Sequence, residues 1–352
     1  MPRSENLKNL GKRLSLPKVS VCIPTYNYGN FLSHAIDSVL NQTFTDYELI
    51  ICDNASIDDT EEIVKSYSDR RIRYFRNSTN LGSTKNFNKC IEKSTGKYVY
   101  ILHADDVMLP ENLDEKVRIL DSNPSVGLVH SNYYIINASG KNLRESLILE
   151  ETSTKQMIED GLSVFRRLIT GGDFICAPTV MVKRECYNKV GYFNPTLLYS
   201  PDWEMWMRIA LEYDIAYIPT PLIIRRLHKE QATHRYHGKL FDSIEEFHLK
   251  KNMLEQIKDR INDYEKLREK VLYNAAMRAI KKVIGNYPHS AFGYLFLAVT
   301  NCPRIVRDAP LILVKIHRYI EQAKQRKKVD TTFQLASRYL IELVLKRGRY
   351  AI

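Results

Sequence analysis

Two carboxylates stand side by side at Asp105 and Asp106, directly after the apolar run Tyr98–Leu102 and the pair His103, Ala104. Adjacent negative charges repel unless something positive sits between or beside them. Two more polar clusters end apolar runs in the same way. Pro24, Thr25, Tyr26 and Asn27 follow VSVCI, and Asp53, Asn54, Ala55 and Ser56 follow YELIIC. Farther on, Asp202 lies in the acidic and aromatic stretch LLYSPDWEMWMRIA, and Arg226 and His228 lie in RRLHKEQAT. Carboxylates accept protons and hold cations, and histidine donates, accepts or ligates.

The elements that must hold these groups alternate in period. VSVCI reads as a strand, and FLSHAIDSVL follows with Phe31, Ala35, Ile36, Val39 and Leu40 at helical spacing. YELIIC is the next strand. DDTEEIVKSY is acidic at its front, and Ser56 with Asp59 fits a capping box. Then come the strand RIRYF, the helix STKNFNKCIEK and the strand KYVYIL. Four strands separated by three helices predict right-handed crossovers and a mostly parallel sheet flanked by helices, an α/β fold. Ligands bind outside the carboxyl ends of such strands, where the three polar clusters fall. Taken singly they read equally well as a turn, a helix cap and loop polarity before a helix that Pro110 starts. Together they mark one rim.

Beyond residue 110 the pattern loosens into mixed strands and loops until about residue 230. From Leu240 the residues Phe241, Ile244, Phe247, Leu254, Ile257, Ile261, Tyr264, Leu267 and Val271 keep near-helical spacing. The expected organisation is a tail over 1–17, a catalytic domain over 18–238 and a basic C-terminal α-helical region over 239–352.

The stretch from VSVCIPTYN to ICDNASIDDT, followed by HADD, resembles the opening of family 2 glycosyltransferases with the GT-A fold, over about residues 18–230. The resemblance implies that Thr25, Tyr26 and Asn27 line the base and ribose of a nucleotide sugar, and that Asp53 accepts a hydrogen bond from the base. The family's D-x-D signature falls on HADD. It implies Asp105 as the ligand of Mn²⁺ or Mg²⁺ bridging the donor diphosphate, with Asp106 as its neighbour and His228 completing the metal shell. His103 stands at the first position of the signature, where it can donate to a ribose hydroxyl or a phosphate. Asp202 matches the general base of an inverting transfer to an acceptor hydroxyl, with Pro201 in place of the usual acidic predecessor. The other reading of Asp202 is the N-cap of a helix whose face carries Trp203, Trp206 and Ile209.

The chain has 352 residues and a net charge of +11. The excess is concentrated from Pro303 to Ile352, where twelve Lys/Arg face four Asp/Glu. A solvated helical face and an anionic membrane surface both account for it. APLILVKIHRYIEQAKQRKK joins an apolar face to clustered cations, as interfacial helices do. The longest apolar stretch, AFGYLFLAVTN, is about half of the ~20 residues needed to cross a bilayer. The N-terminus lacks the apolar core of a signal peptide. Cys22, Cys52, Cys90, Cys176, Cys186 and Cys302 form no CxxC pair and read as small core residues.

These features lead us to expect a cytoplasmic protein, either free or peripheral at the inner face of the membrane. The expected partners are a nucleotide-diphosphate sugar, a UDP-sugar first among them, and a glycan or lipid-linked acceptor in cell-surface polysaccharide synthesis. Nucleic acid is not among them. A nicotinamide-dependent dehydrogenase would need G-x-G-x-x-G after the first strand, where PTYN stands instead. A catalytically inactive nucleotide-sugar-binding module of the same fold is the alternative.

Overall fold

The computed structural model describes residues 16–140, 142–146, 156–229, 231 and 240–284. Strands β1 (Val19–Thr25), β2 (Tyr47–Asp53) and β4 (Tyr98–Ile101) are buried along their whole lengths. Burial of both faces is what a parallel sheet between helical layers requires, and it explains why these strands read as continuous apolar runs. β1 runs parallel to β2 from Val19 opposite Tyr47 to Thr25 opposite Asp53. β2 runs parallel to β3 (Ile72–Arg76), and β1 is parallel on its other side to β4. Helices α1 (Gly29–Leu40), α2 (Thr60–Lys65) and α3 (Ser83–Lys93) make the crossovers. The strand order β3-β2-β1-β4 reverses direction at β1. A crevice therefore opens between the carboxyl ends of β1 and β4.

Past β4 the sheet turns mixed. After β5 (Val107–Met108) and α4 (Asn112–Ser122) come the long β6 (Val126–Asn137), β7 (Asn142–Ser146) and β8 (Met157–Glu159). α5 (Gly161–Gly171), β9 (Met181–Lys183), α6 (Arg184–Val190), α7 (Pro201–Ala210) and β10 (Asp214–Leu227) follow. β9 joins β4 and β6 antiparallel to both, and β6 pairs in parallel with β10. The region expected to be loose strands and loops thus also holds α5 and α6.

By internal contacts the chain divides into two units. The first comprises the described residues up to Val164, Phe174–Thr196 and Arg208–His228. Its core includes Val21, Ile23, Leu32, Ile36, Leu49, Ile51 and Tyr100. Among the ionisable side chains buried in this unit are Glu48 and Lys116. Glu48 on β2 accepts from Ser20 Oγ at 2.7 Å, Thr95 N at 2.6 Å and Thr95 Oγ1 at 2.7 Å, and pairs with Arg73. Lys116 on α4 has no exposed surface, and its Nζ donates to Asn112 Oδ1 at 2.9 Å and lies 4.8 Å from the centre of the Tyr100 ring.

The second unit comprises Phe165–Asp173, Leu197–Met207 and the described residues from Lys229 on. Helices α8 (Leu240–Ile257) and α9 (Tyr264–Ile284) pair within it. They bury Phe247, Leu254, Ile257, Leu267 and Val271, while Ile244, expected on the same face, is 37% exposed. Arg166 clasps Asp263 through two hydrogen bonds, at 2.9 and 2.6 Å.

Two local expectations need correction. Ser56 and Asp59 form no capping box, because Ser56 Oγ is taken by Asn27 N. Asp58 serves the first turn instead, its Oδ1 accepting from Thr60 N and Oγ1. Helix α7 begins at Pro201, so Asp202 sits inside its first turn and does not cap it. Cys22, Cys52, Cys90, Cys176 and Cys186 are free thiols. No helix among the described residues is long and apolar enough to cross a membrane. The basic segment after Pro303, with Cys302 and AFGYLFLAVTN, lies outside the described residues.

Candidate functional site

The ends of β1 and β2 are tied to each other before any ligand is considered. Asn27, in the left-handed region at φ 56°, donates its backbone N–H to Ser56 Oγ at 2.9 Å, and its Oδ1 accepts from Ile57 N at 2.8 Å. The backbone N–H and side-chain oxygen of Asn27 thus join the two loops. Tyr26 beside it keeps 36% of its surface exposed, which leaves an aromatic face for a planar partner. Thr25 is 2% exposed, and its Oγ1 has no hydrogen-bond partner among the described residues. A buried hydroxyl left in this way can donate a hydrogen bond to a water or a ligand, or accept one from it.

Asp53 is fully buried and heavily engaged. Oδ1 accepts from Ser56 N at 2.9 Å, and Oδ2 accepts from Tyr74 Oη at 2.7 Å and Arg76 Nε at 3.2 Å. Three donors occupy most of a carboxylate's roughly four lone-pair sites, so about one remains for a ligand. Burial and the Asp53 carboxylate push the Tyr74 hydroxyl well above its ordinary range, keeping it a donor. Arg76 also donates to Ser56 O at 2.6 Å. Tyr74 and Arg76 were not singled out from the sequence. They sit near the carboxyl end of β3, a fourth strand end to which the same rim rule applies.

The acidic turn follows β4. His103, Asp105 and Asp106 bring ligand atoms within 4.8 Å of one another. Asp106 N donates to His103 O at 3.1 Å, closing the turn, and β5 then pairs with β10 through Met108 opposite Ile223. That pairing sets the end of β10 against the carboxylates. Arg226 N donates to Asp106 Oδ1 at 2.8 Å, and Arg226 Nε donates to Asp105 O at 3.1 Å. The Arg226 guanidinium lies over the Phe31 ring at 5.0 Å. His228 Nε2 is 3.0 Å from Asp105 Oδ2, and its ring lies 5.6 Å from that of Tyr28 and 5.0 Å from that of Phe31. Opposite, the His103 ring stacks 5.9 Å from Phe87, with Nδ1 3.8 Å from Asp106 Oδ2.

Burial and the charge of Asp105 push the Asp106 carboxyl well above the usual carboxylate range. Two nearly buried carboxylates in one turn form a site that a cation relieves. Carboxylate donors suit Mg²⁺ or Mn²⁺, so the residues present fit the expected metal. The structure therefore brings His103, Asp105, Asp106 and His228 together, and Thr25, Tyr26, Asn27 and Asp53 along the neighbouring strand ends. Asp202 lies in the second unit, on α7, where Trp203, Trp206 and Ile209 are buried as the helical reading expects. Its Oδ1 accepts from Trp203 N at 2.9 Å.

Comparison with known proteins agrees with this geometry. The family profile described as Glycosyl transferase family 2 matches residues 20–191. An uncharacterized glycosyltransferase of Methanocaldococcus jannaschii is 33% identical over 216 residues, which cover 60% of this chain and 71% of that protein. One of Rickettsia prowazekii is 29% identical over 219 residues, 62% of this chain and 66% of its own. Among solved structures, S. aureus TarS in complex with UDP-GlcNAc superposes with a TM-score of 0.64 at 18% identity, covering 88% of this chain and 92% of the other. The mannosyltransferase PcManGT from Pyrobaculum calidifontis, in complex with GDP-Man and Mn²⁺, gives a TM-score of 0.51 at 16% identity, covering 95% and 88%. At these identities the structures establish the fold, a mixed α/β sheet flanked by helices of the GT-A type.

Proposed function

The chain belongs to glycosyltransferase family 2, and on that premise we propose that it is a metal-dependent inverting transferase moving a sugar from a nucleoside diphosphate to an acceptor hydroxyl. The observation that carries the reading is the four-residue set His103, Asp105, Asp106 and His228 at the reversal of strand order, beside the unpartnered Thr25 hydroxyl. Thr25 and Tyr26 would line the nucleoside, with Asn27 holding their loop in shape. Asp53 would offer its remaining acceptor site to a base N–H. Asp105 would be the principal ligand of Mn²⁺ or Mg²⁺, with Asp106 and His228 beside it, and His103 would donate to the ribose or a phosphate. When bound, the divalent ion neutralises charge on the departing diphosphate.

Asp202 is the proposed general base. It would accept the proton of the acceptor hydroxyl as that oxygen attacks the anomeric carbon from the face opposite the leaving group. One in-line displacement inverts the centre. UDP-sugars are the first donors to try, since TarS is seen with UDP-GlcNAc, and GDP-mannose comes next, from PcManGT. The proposed acceptor is a glycan or lipid-linked sugar of the cell surface, reached from the cytoplasmic face of the membrane with help from the basic segment after Pro303.

The test is a thermal-shift screen of UDP-GlcNAc and GDP-mannose with and without Mn²⁺, followed by assay of nucleoside diphosphate release. A ligand that binds the native state raises its midpoint. A midpoint that moves with neither donor, with or without the ion, and no diphosphate release would remove the reading.

A further inference from the structure

We propose that Glu245 is a positioning residue for Asp202, an inference that rests on the assignment of Asp202 as the base. Glu245 lies in the second turn of α8, a helix whose own sequence gave no sign of chemistry. Its Oε1 accepts from Tyr199 N, Ser200 N and Ser200 Oγ, each at 2.8 Å, and its Oε2 accepts from Leu198 N at 2.7 Å. Three consecutive backbone N–H groups and one hydroxyl thus converge on one carboxylate that is only 7% exposed. Successive N–H groups arranged in this way form an anion-binding concavity, and here a side chain of the same unit fills it.

The location gives these bonds their meaning. Pro201, the next residue, opens α7 and has no N–H of its own to place, and Asp202 follows. The backbone that Glu245 grips therefore ends one peptide bond before the helix that carries the proposed base. Hydrogen bonds to an ionised acceptor are about twice as strong as neutral ones, and four of them define both the position and the direction of the chain entering α7. A second grip lies beside Asp202. Lys250 of α8, paired with Glu246 at 2.8 Å with both side chains nearly buried, sets its ammonium 5.0 Å from the centre of the Trp203 ring. α8 thus fixes the residue before α7's first turn and the residue after Asp202.

A base must meet its proton at hydrogen-bond distance, and a misplacement of about 1 Å costs on the order of 10²-fold in rate. Loss of the Glu245 carboxylate should act on the chemical step and leave donor binding alone. In Glu245→Gln the amide nitrogen cannot accept the Leu198 N–H that Oε2 accepts, so one side of the grip opens while side-chain volume is kept.

The experiment follows UDP release from UDP-GlcNAc with Mn²⁺ by the full chain, water standing in for the acceptor hydroxyl. The expected result for Glu245→Gln is a fall in kcat of about 10-fold or more with the donor KM within about twofold, and no further fall when the change is added to Asp202→Asn. Ser200→Ala, which removes one of the four donors, should give a smaller change of the same kind. The chain's two tryptophans, Trp203 and Trp206, both lie on α7, so acrylamide quenching of their emission reads that helix without any turnover. Quenching should rise in Glu245→Gln at unchanged far-UV circular dichroism. A merely structural glutamate would lower the thermal midpoint, spare kcat and add its loss to that of Asp202→Asn. Unchanged kcat, fully additive losses or unchanged quenching would each overturn the proposal. If instead Asp202→Asn turns over at the parent rate, it is the assignment of the base that fails, and Glu245 is then left with no base to position.

Discussion

Asp105 and His228, 123 residues apart in sequence, meet at 3.0 Å between Oδ2 and Nε2, with side chains 8% and 5% exposed. The contact ties the turn after β4 to the residue that follows β10, and the antiparallel pairing of β5 with β10 makes it possible. A histidine so placed is both the partner of the carboxylate and a neighbour of any cation that the carboxylate would hold.

Replacing Asp105 with Asn keeps the size and removes the charge that a hard cation prefers. Calorimetry with UDP and Mn²⁺ should show metal-dependent affinity weakened by about 10-fold or more in Asp105→Asn, with UDP alone little changed. Equal affinities for parent and variant in the presence of Mn²⁺ would remove Asp105 as the principal ligand.

The rim was legible because each strand end could be read from local signals: continuous apolar runs that stop at polar clusters. STKNFNKCIEK, for example, is the whole of α3, Ser83–Lys93. The contacts that complete the site were not legible, because they join residues far apart in sequence, 120 positions for Arg226 and Asp106 and 45 for Glu245 and Ser200. Nothing local says that Arg226 N will meet Asp106 or that Glu245 will cap the approach to α7. The alternative reading of Asp202 as an N-cap fails because Pro201 takes the first helical position and shifts the start of the helix. Glu48 and Lys116 look like surface charges in the sequence, and only the packing of β1, β4 and α4 buries them.

Glu48 makes stability depend on acid. Burial alone would raise its carboxyl, but hydrogen bonds from Ser20, Thr95 and Arg73 outweigh it and hold the group below the usual range. A depressed carboxylate contributes stability that is present above its unfolded pKa of about 4.3 and is lost as pH falls through the folded value. Glu48→Gln should therefore cost about 2 kcal/mol at pH 7. The difference from the parent should shrink below about pH 4. Urea midpoints measured at pH 7 and in acid provide the check, and a difference independent of pH would count against the charge.

Lys116 works in the opposite direction. Burial holds its ammonium well below the ordinary range, so at pH values between the folded and unfolded pKa the amine takes up a proton on unfolding. The unfolded state then binds more protons, and stability rises with pH from the folded value up to about 10.4, by at most about 1.4 kcal/mol per pH unit. Lys116→Met, of similar length and without a charge to bury, should flatten this rise in the pH range just below about 10.4. Parallel slopes for the two proteins would show that the amine is solvated in the native state.

The segment after Pro303 should carry the protein to anionic membranes if its cations and apolar positions act together. Co-sedimentation with phosphatidylglycerol vesicles at low salt is expected, falling off as salt screens the charges. Full-length protein that stays in the supernatant at low salt would end this idea.

Asp202 separates chemistry from binding. A general base does its work in the transition state, where it accepts the proton of the attacking hydroxyl, and the bound donor needs little from it. Asp202→Asn should leave the affinity for donor and Mn²⁺ nearly intact while lowering transfer by about 10² to 10⁴, the usual span for a positioned base. The position of Asp202 inside the first turn of α7 sharpens the comparison. Pro201 opens the helix and Glu245 holds the chain before it, so the fold has little need of the Asp202 charge. Asn in its place can still accept from Trp203 N as Asp202 Oδ1 does. Donor affinity by calorimetry and turnover by diphosphate release are both required, because a loss in the first would mean that the carboxylate serves the ground state. A folded Asp202→Asn protein that transfers sugar at the parent rate would take Asp202 out of the mechanism.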